Sequence, residues 1–106
     1  MKIIEKNNPT NLIGGIYTKN NPENGDEKIV KVVGILEHRE IYKDCITDYF
    51  ILDVLTSTAG LHLNSLYNYL SGPYHRNTLL NFNGSIINKY AIEHCSKFLD
   101  NYTKKT

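Results

Sequence analysis

The stretch "KIVKVVGILEHREI" (28–41) is rich in Val and Ile and carries one glycine, Gly34, near its middle. β-Branched residues suit a pleated strand. A glycine inside a strand marks a bulge or a sharp bend, such as a small barrel requires. The next segment, "DCITDYFILDVLTS" (44–57), has an aromatic and β-branched centre, "YFILDVL", and reads as a second strand. Apolar residues alternate around a glycine again in "TLLNFNGSIINKYAIEHCSKF" (78–98). There Leu80, Phe82, Gly84 and Ile86 share one face of a predicted fourth strand. "KYAIEHCSKFL" (89–99) follows as a fifth.

The remaining segments are connectors. "KNNPENGDEK" (19–28) holds Pro22, Asn24-Gly25 and several charges, all turn formers. Two glycines in "NLIGGIYTK" (11–19) argue against a stable helix there. "SGPYHRN" (71–77) reads as a loop anchored by Gly72-Pro73, and the tail "DNYTKKT" as polar and frayed. "LHLNSLYNYL" (61–70) fits two patterns: Leu61, Leu63, Tyr67 and Tyr69 alternate, while Leu63, Leu66 and Leu70 fall at helical spacing. Taken as a strand, it completes five in about 75 residues. The expectation is a mainly β chain with little helix: a five-stranded Greek-key barrel of the OB-fold type. Residues 1–106 form one domain, with the barrel over about 28–100 and an N-terminal segment at 1–27. Leu80, Phe82 and Ile86 line the barrel, and Gly34 and Gly84 let its strands coil.

Composition narrows the function classes. The chain has 106 residues, 41% apolar and 22% charged, with a formal net charge of +1. That is enough to bury a core, and too balanced to announce nucleic acid by charge alone. The N-terminus has no apolar leader, and no apolar run approaches the roughly 20 residues of a membrane span, so the chain reads as soluble and intracellular. Cys45 and Cys95 form no CxxC motif and no Cys/His ligand cluster, so neither a zinc site nor a disulfide is expected.

Catalytic constellations are sparse. His38, His62, His75 and His94 match no HExxH motif and no nucleophile motif. His94 and Cys95 are adjacent, so strand alternation turns them to opposite faces. "IGG" (13–15) lacks the ending of a phosphate loop. No catalytic role, cofactor, metal or small-molecule substrate is expected, and the histidines read as surface or satisfied side chains. Single-strand binding by an OB-fold needs aromatic faces for bases and cations for phosphates. Candidates are Tyr49, Tyr67, Tyr69 and Tyr74, with Lys31, Arg39, Lys43 and Arg76 nearby. The competing reading is that these tyrosines pack the core or a partner surface.

The pattern resembles the small single-OB subunits of eukaryotic single-strand-DNA-binding complexes: the smallest subunit of replication protein A and the small subunit of the telomeric CST complex. The resemblance covers roughly residues 10 to 100. "TNLIGGIYTK" is similar to the segment before the barrel, "VVGILEH" to the first strand and "YFILD", closed by Asp53, to the second. "NFNGSIINKYAIEHCSKF" is similar to the joined fourth and fifth strands, with Gly84, Ile86, Ile92, Cys95 and Phe98 in place. The resemblance implies a nuclear, non-catalytic subunit. It would assemble with a larger OB-fold partner as a heterodimer or heterotrimer and touch single-stranded DNA in an auxiliary way. Family members carry a C-terminal helix after the barrel, whereas seven residues follow Leu99 here.

Two other classes fit parts of the chain. "AGLHLNSLYNYLSG" (59–72) suits the turn and second helix of a helix-turn-helix, with Gly60 in the turn and Leu66 and Tyr69 inward. That reading requires helical residues over 53–70, yet the recognition helix would contain no Lys or Arg for phosphates. A small partner-blocking protein of the immunity type is permitted by composition alone.

Overall fold

A computed structural model describes residues 9–21, 27–40, 45–56, 66, 75–85 and 87–105. It is mainly β. Among the described residues six antiparallel strands are present: β1 (Ile16–Lys19), β2 (Ile29–Glu40), β3 (Cys45–Val54), β4 (His75–Leu80), β5 (Tyr90–His94) and β6 (Tyr102–Lys104). They run in the order β5-β3-β2-β1-β6, with β4 also paired to β2. The described strands do not close into a barrel.

Strand β2 organises the sheet. Its first residues pair with β1, from Ile16–Lys31 to Thr18–Ile29, and its second half pairs with β4, from Ile35–Leu80 to Glu40–His75. β3 follows it along nearly its whole length. The register shifts between Val32 and Gly34, so the predicted bulge is there. The bulge reverses the alternation of side chains. Val30 and Val32 face one cluster, and after the bulge Ile35 faces it while Leu36 faces the other. Both faces are buried at the centre, which is why β2 and β3 read as near-continuous apolar runs rather than as strict alternation.

The first cluster joins Val30, Val32, Ile35, Phe50, Leu52 and Val54 to Tyr17, Phe98 and Tyr102. The second joins Val33, Leu36 and Ile51 to Leu66 and Tyr90, with Phe82, Leu79, Ile92 and Tyr49 packed against it.

Several expectations are corrected. The alternation in "TLLNFNGSII" (78–87) predicts a fourth strand there, but the strand runs His75–Leu80, taking in part of the predicted loop 71–77. Asn81 has φ 57°, a left-handed conformation that ends the strand, and Gly84 lies in the connector beyond it. Leu80 is 38% exposed rather than lining a barrel, Phe82 packs on the second cluster from that connector, and Ile86 lies outside the described residues. Strand five ends at His94. A 3-10 turn (Cys95–Lys97) and one short helix, α1 (Phe98–Asn101), carry the chain over the first face.

The tail is not frayed. β6 pairs with β1 from Tyr17–Lys104 to Lys19–Tyr102. Asn20 secures this junction. Its backbone N–H donates to the Asn101 carbonyl at 2.7 Å, and its Oδ1 accepts from the Thr103 hydroxyl at 2.6 Å. The N-terminal segment also belongs to the sheet through β1. It enters by a 3-10 turn (Pro9–Leu12) and Gly14, whose φ of 94° favours glycine. Of the ambiguous segment 61–70, only Leu66 is among the described residues, and it is buried. Asp53 and Val54 are strand, where a helix-turn-helix needs helix.

Candidate functional site

The bulge and the β4–β5 connector fit together. A bulge leaves a backbone group outside the ladder. Here the Val33 carbonyl accepts the Asn83 N–H at 2.7 Å. Phe82 then lies directly against Gly34: a Cβ there would stand 2.8 Å from the Phe82 Cα. This seats the Phe82 ring edge-on to Tyr90, with centroids 5.6 Å apart. The Tyr90 hydroxyl is fully buried and has no partner at hydrogen-bond geometry. Burial, with the Asp53 carboxylate adding to it and Asn88 partly offsetting it, holds this hydroxyl above the usual tyrosine range. The Asn88 amide instead donates to Asp53 Oδ2 at 3.1 Å.

Further along the same face, three rings cross three neighbouring strands. Tyr49 of β3 lies between His38 of β2 and His94 of β5. Its ring centroid is 6.2 Å from His38, edge-on, and 4.7 Å from His94, tilted. The placement follows from register: Tyr49 is the direct partner of His94 and of Leu36, and His38 stands two residues beyond Leu36. All three residues are half-buried, so each keeps part of its surface in water.

The sequence-predicted site residues are only partly brought together. Tyr49 is in the ring row. Arg39 and Arg76 are register partners on β2 and β4, at positions on the other side of the pleat from His38 and Tyr49. Lys31 is exposed, between Asp53 of β3 and Ile16 of β1. Lys43, Tyr67, Tyr69 and Tyr74 lie outside the described residues. The sequence marks His38 and His94 only as surface or satisfied side chains. Their strand parity was legible, but the register that sets both beside Tyr49 was not. His94 and Cys95 do diverge: His94 meets Tyr49, while Cys95 packs against the first cluster. Burial, with the charge of Asp48 adding to it, pushes the Cys95 thiol up to about 12, so it is a poor nucleophile near neutral pH.

Among the described residues, no group of three or more His, Cys, Asp or Glu is arranged to hold a metal ion, and no helix is long and apolar enough to cross a membrane. No family model, no curated protein and no solved structure matches the chain.

Proposed function

We propose that this chain is a non-catalytic binding module for single-stranded nucleic acid: a small OB-type subunit that assembles with a larger OB-fold partner in replication or telomere capping. The observation that carries the reading is the ring row His38–Tyr49–His94 across three strands of one sheet face. Every base has a π-face, so such a row binds bases without reading their sequence, at about 1–3 kcal/mol per stacked base. The long bulged β2, shared between β1 and β4, is also what a strongly coiled barrel strand requires. Leu55, Ile87 and Leu99 are large apolar side chains left in water, and they are available to a larger subunit. A nuclear location belongs to this reading.

The test is fluorescence anisotropy with a short labelled oligothymidine at low salt. Tyr49→Ala should weaken binding by about 5- to 150-fold, the equivalent of one stacked base. Tyr49→Phe, which keeps the ring, should bind as the wild type does. Equal binding by the wild type and the folded Tyr49→Ala variant overturns the reading.

A further inference from the structure

The β4–β5 connector joins two anchored points through an exposed link. On its N-terminal side Phe82 lies against Gly34, and the Asn83 N–H donates to the Val33 carbonyl at 2.7 Å. On its C-terminal side a turn begins at Ser85. The Ser85 carbonyl accepts the Asn88 N–H at 3.2 Å, and its Oγ accepts the Ile87 N–H at 3.3 Å. Between these anchors runs Asn83-Gly84, with both residues exposed and outside every strand. Among the described residues, neither the Asn83 side chain nor the Gly84 N–H has a hydrogen-bond partner.

The other described asparagines lack this combination. Asn88 donates to Asp53 and precedes Lys89, and Asn101 donates to the Lys97 carbonyl and precedes the buried Tyr102. Of the described asparagines only Asn83 precedes glycine. Glycine has no Cβ to crowd its own nitrogen, and its backbone can turn that nitrogen toward the asparagine side chain. The link also lies close to the second cluster. A Cβ at Gly84 would stand 2.9 Å from the tip of the Phe82 ring and 3.0 Å from the Tyr90 hydroxyl.

We propose that Asn83 is a modification site: it deamidates in the folded protein, and its conversion loosens Phe82 from the bulge. The Gly84 nitrogen bonds to the Asn83 side-chain carbonyl carbon and closes a succinimide ring. The bond from that carbon to the side-chain nitrogen breaks, and ammonia leaves with the proton of the Gly84 nitrogen. Water, the sole co-reactant, then opens the ring. Attack at the side-chain carbonyl gives aspartate. Attack at the backbone carbonyl gives isoaspartate, in which the chain runs on through the side-chain carbonyl. Isoaspartate thus adds a methylene to the backbone between the Val33 anchor and the Ser85 turn, and both products place a carboxylate there. A longer link cannot leave both anchors where they are. The displacement reaches the second cluster through Phe82, whose ring meets Tyr90.

The experiment ages the full chain at mildly alkaline pH, folded and in urea, and maps the products by peptide mass spectrometry. Isoaspartate is read with an isoaspartyl methyltransferase and a labelled methyl donor. Asn83 should pass from amide to acid in the folded chain at a rate comparable to that in urea, with isoaspartate among the products. Gly84→Ala should slow the conversion several-fold, and Asn83→Gln should abolish it over the same period. The aged wild type should melt below the fresh protein, and aged Asn83→Gln should fall less. Asn24-Gly25, outside the described residues, is common to both chains and cancels. Conversion of Asn83 in urea but not in the folded chain overturns the site, because the fold then protects it. Conversion in the folded chain with an equal fall in melting for wild type and Asn83→Gln overturns the loosening of Phe82 and keeps the site. Neither readout depends on nucleic-acid binding.

Discussion

The sheet is buried on both sides at its centre, but the two faces are closed by different means. Over the first face the chain lays a continuous piece, from the 3-10 turn at Cys95 through α1 into β6, with Leu12 and Ile13 packed beside it from the N-terminal end. That piece carries its own aromatic cluster. Phe98 stacks on Tyr102 at 4.6 Å and meets Tyr17 and Phe50 edge-on at 4.9 and 5.0 Å. Among the described residues, the second face is covered by separate contributions: Leu66, Phe82 from a connector, and Tyr90 from the sheet itself. A covering stretch that carries several rings in mutual contact gains cooperatively, because each ring fixes the next. On that second face, toward the far end of β2, the half-buried ring row His38–Tyr49–His94 lies.

The largest expected effect lies on the continuous side. Phe98 is fully buried and touches three other rings, and its turn delivers β6 to β1. Phe98→Ala should cost about 3–5 kcal/mol, a large part of the stability of a domain this size. Urea unfolding measures it. A loss below about 1 kcal/mol would mean that the first face does not depend on this ring, and the comparison would fail.

The two glycines that the sequence singles out separate the piecewise side into rigid and yielding parts. At Gly34 a Cβ meets the Phe82 backbone at 2.8 Å, so the connector itself must move. At Gly84 the nearest atoms are the tip of the Phe82 ring at 2.9 Å and the Tyr90 hydroxyl at 3.0 Å, and the residue is exposed. Gly34→Ala should cost about 1–3 kcal/mol, and Gly34→Val should cost more and threaten folding. Gly84→Ala should stay under about 1 kcal/mol, because a ring tip can swing aside. Thermal melts of both variants give the ordering. Equal losses would show that the connector is as rigid at its middle as at its anchor.

These two glycines also show what the sequence could convey. Gly34 sits inside a long β-branched run, so both the strand and its bulge were legible from residue types. Gly84 sits in an apparent alternation, Leu80-Phe82-Gly84-Ile86, which imitated a strand. What ended that strand was Asn81 in a left-handed conformation, a local choice fixed by the docking of Phe82 on Gly34 and of Asn83 on Val33. The tail failed for a related reason. "DNYTKKT" has too little apolar character to announce a strand. Its place in the sheet comes from Phe98 upstream and from the contacts of Asn20, both long-range. Tyr49 was legible as an aromatic on a strand, but its neighbours were not, since His38 and His94 reach it only through a register across three strands.

The smallest effect concerns the polar atom left inside the piecewise face. The Tyr90 hydroxyl is buried without a hydrogen-bond partner, while Asn88 and Asp53 beside it satisfy each other. A buried hydroxyl with no partner carries a desolvation cost that phenylalanine avoids. Tyr90→Phe keeps the ring against Phe82 and should leave stability unchanged or raise it by up to about 1 kcal/mol. The same substitution at a satisfied tyrosine would lower it. A raised pKa also means that the unfolded chain ionises first. The folded state therefore loses stability as pH climbs from the ordinary tyrosine value near 10 toward the elevated folded one. Tyr90→Phe removes that contribution, so chemical denaturation at neutral pH and again above pH 10 should show the variant gaining on the wild type as pH rises. A variant less stable than the wild type at neutral pH would show that the hydroxyl has a stabilising partner in solution. The second face would then be better closed than its contacts indicate.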